Sequence, residues 1–244
     1  MRPGSNLKSS GKKRFVRRMF DDIYLRYDLL NTILSAGMDD RWRKKAIEGI
    51  ASDSVIIDLC GGGGQLAGQL LEGRSFQGLV IVADISMRMI SQAPRILGPG
   101  GSGSRYVAVV CDVQCLPFKD RVFDAAISAF SLRNLDDLSA FSNEARRILR
   151  YGGRARLLEI GHPRGRILRF FFEFYFYRLG PLIARIFTDK RYAYEYLPAS
   201  LKAFPHQKDV LRVLSANWDD SDMLELWRGI AVIYKLSKRK NGKG

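Results

Sequence analysis

Cysteine is scarce in this chain of 244 residues: only Cys60, Cys111 and Cys115 occur. They are too few and too unevenly spaced for a disulfide framework. Cys111 and Cys115 form a Cys-x3-Cys pair, but no second Cys or His pair completes a zinc site, so no metal is expected. Long apolar runs are missing as well, since none reaches the ~18 charge-poor residues that a membrane span requires. The basic start leads into residues 15–30, which Arg17, Arg18, Asp21, Asp22 and Arg26 interrupt, unlike the core of a signal peptide. These absences predict a reduced, cytoplasmic chain, soluble or peripheral at the membrane, with thiols packed as small apolar groups. Apolar residues make up 46% of the chain and charged residues 27%, enough for a sizeable core and against global disorder.

Acidic residues are absent from both ends, and this locates the net charge of +15. Residues 1–20 carry seven cations, Arg2, Lys8, Lys12, Lys13, Arg14, Arg17 and Arg18, and residues 235–244 carry five more. The rest of the chain is left with a net charge of only +3. Basic ends of this kind are solvated tails or contacts for an anionic surface. A nucleic-acid partner is not expected, because no Asn-Pro-Pro-Tyr-like base-flipping motif and no appended RNA-binding module accompanies them.

Residues 1–13 read as a flexible basic tail and 14–50 as two or three short helices, with Phe15, Met19, Ile23 and Tyr27 at four-residue spacing. Short β-branched runs then alternate with helical patterns. Strands are predicted at 54–60, 79–83, 106–111, 123–128 and 154–160, the last entered through a Gly152-Gly153 turn, with a final one at 229–234. This alternation predicts an α/β domain with a parallel sheet covered on both faces. Residues 164–187 differ: seven of the eight residues from Phe170 to Tyr177 are aromatic, and Arg164, Arg166, Arg169, Arg178 and Arg185 are interspersed. That composition suits a lid or interfacial element at a membrane surface, or a buried or dimer-forming helix.

In open α/β sheets ligands bind beyond the carboxyl ends of the strands. Here Asp58 stands in the first strand, the glycines Gly61, Gly62, Gly63 and Gly64 follow it, Asp84 ends the second strand and Asp112 the third. Glycines let the backbone approach a ligand; Asp84 is placed to accept from both ribose hydroxyls, and Asp112 to meet an adenine amino group. The dinucleotide fingerprint Gly-x-Gly-x-x-Gly is not met, since Leu66 falls where its third glycine belongs, so S-adenosylmethionine is preferred to NAD.

Over roughly residues 15–235 the chain also resembles the ubiquinone/menaquinone biosynthesis C-methyltransferases, the UbiE/MenG type. The likeness rests on Phe20 through Tyr27-Asp28-Leu-Leu-Asn31, Ser35-Ala-Gly37 through Trp42, the glycine loop and Ala83-Asp84-Ile85. It continues in Leu116-Pro117-Phe118, Phe123-Asp124, Leu132-Arg133-Asn134, Gly152-Gly153-Arg154 and Tyr196-Leu197 through Phe204-Pro205. The resemblance implies a Rossmann-like class I methyltransferase fold: a mostly parallel seven-stranded sheet, helices on both faces and an N-terminal helical cap. One domain is expected over 14–236, with the cap at 14–50, a substrate-side insertion at 164–205 and a second basic tail at 237–244. It implies cofactor contacts at Gly63, Asp84, Asp112 and Val113, and the site extends to Asp58, Gly61, Gly62, Ile85 and Ala129. The family usually carries Thr where this chain has Gly63 and Ser where it has Ala129.

The implied reaction places a methyl group on a ring carbon of a lipophilic, polyprenylated quinol. A phenol titrates near 10, so ionising it calls for a base or a cation. Arg133 is expected to face the cofactor and stabilise the phenolate, being too basic to take a proton. Asn134 would orient the ring hydroxyl, and Tyr27 would line the site. His162, after the fifth strand, is a further candidate base. Methylation of another phenol or of RNA, or a non-catalytic cofactor-binding role in a quinone-synthesis assembly, are the rival readings. A homodimer is left open.

Overall fold

The computed structural model describes residues 5–73, 76–101, 104–179 and 191–239. Three helices come first, α1 (Ser5–Ile23), α2 (Tyr27–Leu34) and α3 (Asp39–Ile47). The α/β body follows as β1 (Val55–Leu59), α4 (Gln65–Glu72), β2 (Leu79–Asp84), α5 (Met87–Ile90), α6 (Ala93–Leu97) and β3 (Tyr106–Val110). It continues through β4 (Phe123–Ala129), α7 (Leu138–Ile148) and β5 (Leu149–Ile160). After α8 (Arg166–Phe174) come α9 (Arg191–Ala203), α10 (Gln207–Ser215), β6 (Asp220–Leu226) and β7 (Ala231–Ser237).

The seven strands form one sheet in the order β3-β2-β1-β4-β5-β7-β6. The first five are mutually parallel, while β7 runs antiparallel to both β5 and β6. The order reverses beside β1, so the carboxyl ends of β1 and β4 border the switch point where open sheets bind ligands.

Alternation along β1 explains the two-sided core. Ile56 packs with Leu66, Ala67 and Leu70 of α4 on one face. Ile57 and Leu59 pack with Phe141 and Ala145 of α7 and with Val210 and Leu214 of α10 on the other. α7 starts where it does because Asp137 Oδ1 accepts from the Ser139 and Ala140 amides at 2.8 and 3.0 Å. The cap is held by a smaller cluster, Met19, Ile23 and Leu30, against Phe20, Tyr27, Tyr192 and Tyr196. Burying such side chains is worth about 1.5–3 kcal/mol each. Trp42 and Ala46 of α3 pack on Leu158, Ile160 and Ile233 over the far half of the sheet.

The structure differs from the sequence expectation in several places. α1 begins at Ser5, so residues 5–13 belong to the helical cap and not to a flexible tail. β5 runs unbroken from Leu149; Gly152, at φ +79°, sits within it, beside a shift in register against β4 between Phe123 and Ala125, and makes no separating turn. β6 was not foreseen, because Asp220-Ser-Asp reads as loop; it is an exposed edge strand, where such charges block further pairing. β7 begins two residues later than expected, since Gly229 belongs to the preceding turn at φ +93°. Residues 166–174 are helical, but α8 buries none of them. Arg185 lies outside the described residues. Among the described residues no helix is long and apolar enough to cross a membrane.

Candidate active site

A cleft of about 680 Å³, counting its open mouth, lies at the carboxyl ends of β1, β2, β3 and β4 beneath α1. Its floor includes Cys60, Gly62, Asp84, Ile85, Asp112, Val113 and Ala129. Val16 and Phe20 of α1 close it from above, and Met89 from the α5 side. A smaller adjoining cavity shares Tyr27, Cys60 and Ala129 with it and adds Arg43, Asp58, Gly61 and Gln65.

The glycine loop explains how backbone and carboxylates come so close. A side chain at Gly61 would stand 2.7 Å from Asp58 Cγ and 2.9 Å from a Val82 methyl, so only glycine fits between β1 and β2. The loop turns through left-handed conformations at Cys60 and Gly62, both at φ +56°. That conformation aims the Gly62 amide at Asp84 Oδ2, 3.0 Å away, while Asp84 Oδ1 accepts from the Ser86 amide at 2.8 Å. The Ser86 hydroxyl in turn donates to Asp21 of α1, tying the cap to the end of β2.

Burial dominates the electrostatics. Asp84 is pushed up to about 6 by desolvation, against the hydrogen bonds from its neighbouring amides. Desolvation likewise pushes Asp58 up to about 7. Its Oδ2 accepts only a long 3.3 Å bond from the Ala67 amide, and its buried Oδ1 accepts nothing. A buried carboxylate oxygen without a donor is costly. Asp112 is more open: Oδ1 accepts from the Gln114 amide at 2.9 Å, and Oδ2 pairs with Lys13 Nζ of α1 at 2.5 Å.

Asp58, Gly61, Gly62, Asp84, Ile85, Asp112, Val113 and Ala129 thus converge on the two connected spaces. Gly63 does not. A side chain there would meet Ile96 Cδ1 at 2.8 Å and Gln92 Cβ at 3.2 Å, so a threonine fits only if the Ile96 side chain swings aside and Gln92 gives by a few tenths of an ångström.

Among the residues expected to do chemistry, Tyr27 and Asn134 reach the cleft and Arg133 does not. Tyr27 lines both cavities, and burial raises its hydroxyl above the usual tyrosine value. Asn134 Nδ2 donates to the Phe130 carbonyl at 3.4 Å, and Oδ1 accepts from the Tyr196 hydroxyl at 3.3 Å. Arg133 is 5% exposed, and its Nη1 is paired with the Glu159 carboxylate and with the Phe130 carbonyl. Its charge is therefore neutralised inside the fold, and the side chain holds the turn that presents Asn134. Glu159, 0% exposed, was hidden in sequence as one more residue of β5. His162 stands apart from the cleft: its Nε2 lies 3.0 Å from the Phe204 carbonyl and its ring stacks 6.0 Å from His206.

Lys13, Val16 and Phe20 were missed as cleft residues. Val16 and Phe20 are four apart on α1, so their helical spacing was available; Lys13 was counted with the basic tail.

The sequence matches the family model of the ubiE/COQ5 methyltransferase family over residues 7–238. The ubiquinone/menaquinone biosynthesis C-methyltransferase UbiE of Geobacter sulfurreducens is 33% identical over 226 residues, 91% of this chain and 88% of the relative. A demethylmenaquinone methyltransferase of Roseiflexus castenholzii is 34% identical over 232 residues, 93% and 95% of the two chains. Among solved structures, a SAM-dependent methyltransferase of Thermotoga maritima, described as a possible histamine N-methyltransferase, aligns with a TM-score of 0.64 at 15% identity. It covers 92% of this chain and 100% of that one, a likeness of fold.

Proposed function

The chain belongs to the ubiE/COQ5 methyltransferase family, and from that premise we propose that it is an S-adenosylmethionine-dependent C-methyltransferase acting on a quinol ring. The relatives carry ubiquinone, menaquinone or demethylmenaquinone in their names. The observation that carries the cofactor reading is the doubly anchored carboxylate of Asp84 at the sheet's switch point. The Gly62 and Ser86 amides fix one oxygen each, and the carboxylate lines the cleft, where it can accept from a vicinal diol.

The remaining residues fit the same ligand. Asp112 and Val113 border the end of the cleft suited to an adenine edge. The unpartnered Asp58 Oδ1 offers an acceptor to an ammonium group and gains from a cation the partner it lacks. When bound, S-adenosylmethionine supplies an electrophilic methyl group on a sulfonium centre. The chain's own residues orient and dry the site. Val16, Phe20 and Phe130 exclude water from the cleft. The Tyr27 hydroxyl stays protonated well above neutral pH, so it donates a hydrogen bond to a phenolate oxygen instead of removing its proton. Asn134, fixed from two sides, orients the ring hydroxyl. Arg133 acts through the turn it holds.

A lipophilic acceptor also accounts for α8. Ile167, Phe170 and Phe174 stand 76%, 65% and 55% exposed, beside Arg164, Arg166 and Arg169. Apolar residues with arginines suit the boundary of an anionic bilayer. Co-sedimentation with vesicles containing phosphatidylglycerol checks this: binding that survives Phe170→Ser with Phe174→Ser and deletion of the basic ends removes α8 and both ends from the account.

The deciding experiment is transfer of labelled methyl from S-adenosylmethionine to a panel of reduced quinones, soluble phenols and tRNA. Label on the quinol ring carbon is expected. Label on tRNA, or on soluble phenols alone, points to the other acceptors; no binding of S-adenosylmethionine points to a non-catalytic role.

A further inference from the structure

A second cavity opens on the flank of α8, away from the cofactor cleft, where the chain leaving β5 meets the turn between α9 and α10. It holds about 660 Å³ with its mouth, within the ~300–1,000 Å³ of ligand-sized clefts. Arg169, Glu173 and Tyr177 line it on one side, His162, Phe204 and His206 on the other. His162 and His206 are the two histidines of the whole chain, and their rings stand nearly parallel with centroids 6.0 Å apart. The Phe204 carbonyl lies 3.0 Å from His162 Nε2, so that nitrogen carries a proton and donates it. His206 Nδ1 accepts from the Lys208 amide at 3.5 Å, which puts the proton of the neutral ring on Nε2, a donor for a ligand.

Two opposite charges of this lining are left unpaired. Arg169 and Glu173 lie one helical turn apart, near enough to pair, yet no ion pair joins them. The Arg169 guanidinium reaches the Pro163 carbonyl, 3.5 Å from Nε, and among the described residues the Glu173 carboxylate has no hydrogen-bond or ion-pair partner. Burial, and then the Glu173 charge, raise the Tyr177 hydroxyl above the usual tyrosine value, so the carboxylate acts on this same cavity. A pocket that offers a cation and an anion side by side, between aromatic walls, is complementary to a small zwitterion.

The place of the pair on α8 points to the source of that ligand. Ile167, Phe170 and Phe174 are exposed along one face of the helix, and Leu168 and Phe172 are half-buried along the face that meets the protein. Arg169 and Glu173 follow Arg166 along the flank between the two. A helix lying on a bilayer by its apolar face holds such a flank at the level of the lipid headgroups.

We propose that this pocket receives the phosphoethanolamine headgroup of a membrane lipid, its phosphate held by Arg169 and the His206 imidazole and its ammonium by the Glu173 carboxylate. A primary ammonium donates hydrogen bonds to a carboxylate, whereas a trimethylammonium has none to donate, so the pocket selects ethanolamine over choline lipids. The proposal rests on the reading of α8 as the helix that meets the bilayer. It adds a choice of headgroup, which the basic ends, drawn to any anionic lipid, do not make.

Co-sedimentation with two kinds of uncharged vesicle tests it, phosphatidylcholine alone and phosphatidylcholine mixed with phosphatidylethanolamine. High ionic strength screens the basic ends. The mixed vesicles are expected to bind the parent several-fold more tightly, and Glu173→Gln, at an exposed position, should bring both to the same level. Equal binding by the parent overturns the headgroup site. So does a preference that survives Glu173→Gln, since an effect of lipid packing alone would survive it.

The two histidines supply a readout without vesicles. Their ring-proton resonances should both move saturably with millimolar O-phosphoethanolamine and less with phosphocholine, and Glu173→Gln should remove the difference. If the resonances respond in this way while no vesicle is bound, α8 is not a bilayer contact, and the lipid is refuted in favour of a free phosphoester. Resonances that stay still with both ligands overturn the pocket, whatever acceptor the labelled methyl group reaches.

Discussion

Lys13 of α1 holds Asp112 at the end of β3, with Nζ 2.5 Å from Oδ2. A basic residue of the N-terminal segment thus occupies a carboxylate that lines the cleft and that the proposed cofactor would need at its adenine edge. The partners are 35% and 28% exposed, which limits the pair's worth to about 0–1 kcal/mol.

Lys13→Met should therefore leave thermal stability within about 1 kcal/mol of the parent and tighten S-adenosylmethionine binding a few-fold by freeing Asp112. Calorimetric titration measures the second quantity. An unchanged or weaker affinity would mean that the lysine does not compete with the ligand.

Arg133 and Glu159 provide a sharper case, because their pair is buried. Glu159→Gln leaves the arginine charge without a counter-ion and is expected to cost about 3–5 kcal/mol in urea unfolding. The double change Arg133→Met with Glu159→Leu removes both charges and should recover much of that loss. It should also retain measurable methyl transfer, since Arg133 is a positioning residue. Complete loss of turnover in a stable double variant would instead give the guanidinium a direct part in the reaction.

The raised carboxyl groups fix a pH dependence of opposite sign for stability and for binding. Asp84 and Asp58 titrate near 6 and 7 in the fold, above the ordinary aspartate value near 3.9. Between about pH 4 and 7 the folded protein holds more protons than the unfolded chain, so this contribution to stability is full below pH 4 and is lost as pH rises. A cationic ligand needs both groups ionised. Its dissociation constant should fall between pH 5.5 and 8, by about tenfold per unit between the two pKa values and more steeply, towards hundredfold per unit, below both. Asp58→Asn should flatten the upper part of that profile. A Kd independent of pH in the parent protein would remove the carboxylates from the site.

Gly63 is coupled to Ile96 across the α4–α6 contact. Gly63→Thr, which restores the residue usual in the family, should destabilise the fold by about 1–3 kcal/mol through overpacking. Pairing it with Ile96→Ala should relieve that strain in thermal melts. If Gly63→Thr alone melts like the parent, the loop has room that the side chains of α6 do not show.

How much of this was written in the sequence depended on range. The strands of the parallel half announce themselves through β-branched runs such as Val55-Ile-Ile and Leu79-Val-Ile-Val, and the residues at their ends follow from them. Asp58, Asp84 and Asp112 could be placed because strand ends are local features. Arg133 was misjudged because its partner, Glu159, is 26 residues away in a neighbouring strand, and no periodicity reports a pairing across a sheet. Lys13 failed for the same reason, its partner being 99 residues on. β6 was lost to Asp220 and Asp222, whose charges belong to an exposed edge. The pocket beside α8 combines side chains from the end of β5, α8 and the α9–α10 turn, an assembly that only the fold displays.

Asp84 is assigned the ribose of S-adenosylmethionine, and titration calorimetry with Asp84→Asn measures what that contact is worth. The parent should bind at one site, and the variant should bind about 10–100-fold more weakly, the worth of hydrogen bonds to a charged acceptor. Parent-like affinity in a variant that melts normally would contradict the account.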